Sequence, residues 1–168
     1  MMAPAWALVL TYWLHMLATV LWIGALAVLA LLVLPTAQRL LPAAEVPIFL
    51  EGLQKRLAPL AWFCLVVLIG TGMIQMSSNP NYAGFMAFEN QWALAILLKH
   101  ILFLGMIGLS GYQTWGVMPA LRRAALRKVR YPEGSEVDFL TRRDIWLVRG
   151  NLALGVLVLL FTALARAS

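Results

Sequence analysis

Uncharged runs dominate this chain and leave few folds open to it. No Asp, Glu, Lys or Arg occurs from Met1 to Gln38, from Leu57 to Phe88, from Ile101 to Leu121 or from Gly150 to Ala165. A further run, Gln91–Leu98, is separated from the third of these only by Lys99 and His100. A helix needs about 20 apolar residues to cross a hydrocarbon core. The pattern predicts an all-α integral membrane protein with four spans near residues 5–34, 57–77, 91–118 and 144–165. With 62% hydrophobic and 12% charged residues, a water-facing surface could not be covered. No linker divides the chain, so residues 1–168 are expected to form one up-down-up-down four-helix bundle.

The first run has no basic residue before Arg39 and is too long for a secretory signal, so it is expected to stay as a helix. The single cysteine, Cys64, excludes an intramolecular disulfide. Basic residues concentrate between the first and second spans (Arg39, Lys55, Arg56) and between the third and fourth (Arg122, Arg123, Arg127, Lys128, Arg130, Arg142, Arg143). The segment "SSNPNYAGFMAFEN" has none. The positive-inside bias therefore puts both termini on the non-cytoplasmic side of what is expected to be a bacterial inner membrane. The net charge of +6 is explained by topology and attraction to anionic lipid, without a nucleic-acid partner.

Between the spans, Pro35 is expected to close the first helix, and "EVPIFLEGLQKRL" to lie along the inner surface. Pro59 suits the first turn of the second span. After Pro119, "ALRRAALRKVR" reads as an exposed basic helix. Ser135 and Asp138 resemble an Asp variant of a capping box that opens the last helix.

The two histidines carry most of the functional information. His15 lies nine residues after Trp6 and His100 eight after Trp92, so both are expected roughly 12–14 Å deep in the same leaflet, on helices running in the same direction. Ionisable groups in a span usually face the bundle interior and mark function. The His15 face also carries Thr11, Tyr12, Thr19 and Trp22, and Gly108 flanks the His100 face. Diagonal helices about 14 Å apart leave room for an iron ligated from both sides. The expectation is haem b held by His15 and His100, with Thr19 orienting His15, Gly108 making room and Lys99 holding a propionate. That assembly would move electrons, to a quinone or within a larger membrane redox complex. Lys99 also fits a snorkelling side chain or a partner for Glu89.

Soft thioethers support a different chemistry. Met73 and Met76, with His15 and His100, form a candidate copper set, since thioether and imidazole together suit Cu(I). A third class, an accessory subunit without a cofactor, needs only that the histidines be internally bonded. Paired carboxylates, nucleophile–base pairs and phosphate loops, the marks of a hydrolase, do not occur in the spans.

"HMLATVLWIGALAVL", with His15, Trp22 and Gly24 spaced H-x6-W-x-G, precedes "LVVLIGTGMIQ" and "LLKH". These stretches resemble the CopD-like membrane superfamily, which includes the copper-resistance D membrane domain and, more distantly, HemJ-type protoporphyrinogen oxidases. In the HemJ-type branch the resemblance implies bound haem, with His15 and Lys99 as the important polar positions. In the copper-resistance branch it implies copper handling at the membrane. "LVLPTAQRL" lacks the tyrosine and histidine usual in HemJ-type sequences, so the resemblance leaves open whether the chain is a membrane oxidoreductase, protoporphyrinogen oxidase included.

Overall fold

A computed structural model describes residues 4–42, 45–78, 91–130 and 136–167. Among them every regular element is helical: α1 (Ala5–Val28), α2 (Leu34–Leu40), α3 (Val46–Ser77), α4 (Gln91–Gly111), α5 (Met118–Arg130) and α6 (Glu136–Ala167). Two π-helical turns, Leu29–Val33 and Tyr112–Val117, join α1 to α2 and α4 to α5 without a break. The result is four stretches long and apolar enough to cross a membrane: Ala5–Leu40, Val46–Ser77, Ala93–Ala124 and Glu136–Arg166. Their outer faces carry Trp6, Trp13, Leu31, Phe63, Val66, Leu104 and Leu160, all exposed. Such an apolar surface is stable only against lipid. The chain is an integral membrane protein.

The spans exist where the uncharged runs placed them, but they extend further at the basic end. Pro35 does not close the first helix; it sits in the first turn of α2, directly after a π-helical turn. Pro119 follows the second π turn in the same way. Proline removes an N–H and its ring clashes with the carbonyl four residues back. A widened turn at that point absorbs both defects, so the helix continues. The segment from Val46 is likewise no separate surface helix. It is the first part of α3, with Pro59 inside the helix and not in its first turn. Val46 and Leu50 are buried with Leu29, Ala30, Leu34, Ile145 and Val148 in a core at the basic end, which explains why this segment joins the bundle. Ser135 and residues 79–90, Glu89 among them, lie outside the described residues. Glu136 and Asp138 occupy the first turn of α6, where carboxylates complement the exposed N–H groups.

Packing is pairwise: α1 lies along α3 and α4 along α6, while α1 also meets α6. His15 touches Thr71, and Gln75 reaches Thr11, so α1 and α3 run in opposite senses. Asn151 meets Ser110 and Asp144 meets Gln113, which sets the same relation for α4 and α6. In the middle of the bundle Ala18, Trp22, Cys64, Leu65, Leu68 and Met106 form a buried core. Trp22 and Phe103 meet there edge to face, 5.9 Å between centroids, linking α1 to α4. Gly155 lets α6 approach, since a Cβ there would lie 3.2 Å from Met106 Cε.

Candidate metal-handling site

At the end of the bundle where α1 begins, His15 meets a polar side chain of α3. The ring is half-buried and its Nδ1 lies 2.8 Å from Thr71 Oγ1. Thr71 has one hydroxyl hydrogen, which it donates to the Val67 carbonyl at 2.6 Å. Its oxygen is therefore the acceptor for an Nδ1–H of His15. In the neutral ring that tautomer leaves the lone pair on Nε2, the arrangement in which an outer hydroxyl orients a metal-ligating imidazole. Gly72 completes the support. A Cβ at this position would sit 3.4 Å from His15 Cε1, so the ring rests on the bare backbone of α3.

Other groups stack above and below this contact. The Gln75 amide donates to the Thr11 carbonyl at 3.1 Å, and the Thr11 hydroxyl donates to Leu8 O at 2.8 Å. Arg166 lies over the Tyr12 ring, 5.4 Å from its centroid. The Lys99 ammonium, half-buried on α4, is near enough to act electrostatically on His15, and Arg166 on Lys99. His100 Nδ1 donates to the Ile96 carbonyl at 2.6 Å, within its own helix. In both histidines, then, Nδ1 is the donor, His15 to a neighbouring helix and His100 to its own.

The expected helpers of His15 are arranged differently. Thr19 donates to the His15 backbone carbonyl at 2.7 Å, so it braces the helix, and the ring is oriented by Thr71. Trp22 is 4% exposed and belongs to the mid-bundle core. Gly108 is exposed, with nothing near a built Cβ, so the glycine that makes room beside a histidine is Gly72. Of the two methionines, Met76 is buried with Ala93 at this end of the bundle, whereas Met73 is 55% exposed on the outer face. Among the described residues no group of three or more His, Cys, Asp or Glu side chains is placed to hold a metal. A site here would draw on imidazole and thioether donors.

A second polar group, not foreseen from sequence, lies toward the basic end. Asp144 is fully buried; its two carboxylate oxygens accept from Gln54 Nε2 at 2.5 Å and from Gln113 Nε2 at 2.7 Å. One side chain thus ties α3, the second π turn and α6 together. Two turns along α6, Asn151 donates to Ser110 Oγ at 2.8 Å, and its Oδ1 is buried without a hydrogen-bond partner. Gln54, Gln113 and Asn151 all border a cavity of about 790 Å³ that neither histidine nor Lys99 lines. The sequence signal for this group was a carboxylate at the edge of an apolar run, which is ambiguous between an interfacial and a buried position.

No curated protein and no solved structure matches the chain. A family model does: copper resistance protein D, over residues 51–165. The matched segment includes Thr71, Gly72, Lys99, His100, Asp144 and Asn151, and His15 lies before it. It relates the chain to copper and gives no support to haem b, to electron transfer or to a quinone or redox-complex partner. A match over more than half of the 168 residues makes this four-span membrane protein a member of the copper resistance protein D family.

Proposed function

We propose that the protein handles copper within the membrane, with His15 as the principal ligand for Cu(I) as its cargo. The observation that carries this reading is the Thr71-oriented imidazole, in a chain of a copper-resistance family. Imidazole is a good copper ligand, and a hydrogen bond on the distal nitrogen fixes its tautomer and direction. Met76, inward-facing at the same end, is the thioether best placed to join it, and His100 is the candidate second imidazole. Positive-inside orientation puts this end on the non-cytoplasmic face, the setting proposed being a bacterial inner membrane.

The test is Cu(I) binding by the detergent-purified protein, measured by competition with a colorimetric Cu(I) chelator. Stoichiometric copper lost in His15→Ala and retained in Met73→Ala supports the reading. Equal binding in wild type and His15→Ala, or a haem spectrum in place of copper, defeats it.

A further inference from the structure

The cavity at the basic end combines features that the copper reading does not use. At about 790 Å³ it falls in the range of pockets that hold small molecules, about 300–1,000 Å³, and exceeds any packing defect of a close-packed core. It lies between α1, α3, the second π turn, α5 and α6, with Ser110 of α4 at its border. Its walls are apolar and aromatic: Leu21, Leu26 and Leu65, with Trp62 stacked on Trp115 at 4.9 Å and 27°. Its mouth is basic. Lys55, Arg122 and Arg123 border it, and the one carboxylate among its described lining residues, Glu51, stands 3.9 Å from Arg122. Three cations against one anion leave the mouth positive.

We infer that this cavity is a binding site for one anionic phospholipid, its phosphate held by Lys55, Arg122 and Arg123 and an acyl chain laid against Trp62 and Trp115. Charge complementarity selects this occupant. A basic pocket between spans on the cytoplasmic side suits an anionic headgroup, and an apolar wall continuing from it into the span suits an acyl chain, which a soluble anion lacks. Arginine forks bind phosphate through two N–H groups at once, so the pair on α5 gives the headgroup a fixed position as well as charge.

Native mass spectrometry of the full chain, released from nanodiscs of equal phosphatidylglycerol and phosphatidylcholine, tests the site. One phosphatidylglycerol per chain is expected to survive release. Each basic side chain contributes about 1 kcal/mol to anionic-lipid attraction, so Arg122→Gln with Arg123→Gln is expected to weaken retention about 30-fold. Trp115→Ala is expected to shorten retention with the headgroup contacts intact. Arg142→Gln with Arg143→Gln, which removes equal charge away from the cavity, is expected to leave retention unchanged. Equal retention of both lipids, equal loss in the two double variants, or retention of inorganic phosphate in place of lipid overturns the inference. Elution volume on size exclusion separates these outcomes from misfolding.

Discussion

At the residue scale, what sets His15 apart is its partner. Thr71 is 56 positions away, and nothing local in the sequence predicts that contact; it depends on the register of α1 against α3. The histidine itself was legible, because an imidazole deep in an uncharged run has few structural excuses. Thr19, one turn away on the same face, was the natural sequence candidate for its partner, but a threonine in a helix readily bonds the carbonyl four residues back, and it does so here. Loss of a second-layer hydrogen bond to a metal ligand typically costs 10–100-fold in affinity. Thr71→Ala is therefore expected to weaken Cu(I) binding by that factor, and Thr19→Ala to leave it within a few-fold, as read by chelator competition. Lys99 gives a sharper discriminator. A bound Cu(I) would add a positive charge beside this ammonium, so Lys99→Met is expected to tighten binding several-fold. Weaker binding in that variant would mean that the lysine holds an anion accompanying the metal.

At the element scale, the uncharged runs located the spans but not their ends. Proline was read as punctuation at Pro35, yet the helix passes through it because a π-helical turn comes first. The two turns, "LALLV" and "YQTWGV", share no pattern, one being wholly apolar and the other semi-polar, so neither announces a π turn. A π turn holds one residue more than an α turn. Deleting lipid-facing Leu31 together with Pro35→Ala is therefore expected to give a continuous α-helix with Leu34 and Ala37 still facing the core. Thermal unfolding in detergent near the wild-type midpoint would show it; deletion of Leu31 alone is expected to lower the midpoint by restoring the proline clash. Asp144 also acts between elements. Replacing it with leucine strands the buried Gln54 amide, at about 1–3 kcal/mol, and the half-buried Gln113 amide as well, whereas Asp144→Asn keeps an acceptor for one of them. The leucine variant is accordingly expected to melt well below the asparagine variant.

At the scale of the whole molecule, the histidine group and the basic mouth of the cavity lie at opposite ends. The His15, Lys99 and Arg166 groups gather where α1 begins, and Lys55, Arg122 and Arg123 where α3 begins, with the Trp22–Phe103 core between them. This separation was legible in outline, since the distribution of lysine and arginine over the chain is a one-dimensional property. The cavity was not, because a void depends on how far apart diagonal helices stand, which no local pattern encodes. A phosphatase reporter active only outside the cytoplasm, fused after Ser168, is expected to be active if the basic end faces inward. Replacing Arg122, Arg123, Arg127 and Lys128 by glutamine is expected to reduce that activity by mixing the two orientations.

The two π-helical turns come at equivalent places, one following His15 and the other following His100, on helices that lie diagonally across the bundle. Each is a link of slack in an otherwise taut rod, and each is followed by a residue that cannot donate a backbone hydrogen bond. Paired in this way, the wide turns let two diagonal rods each carry a proline without snapping, so both give an unbroken line of support from the histidine end to the basic end.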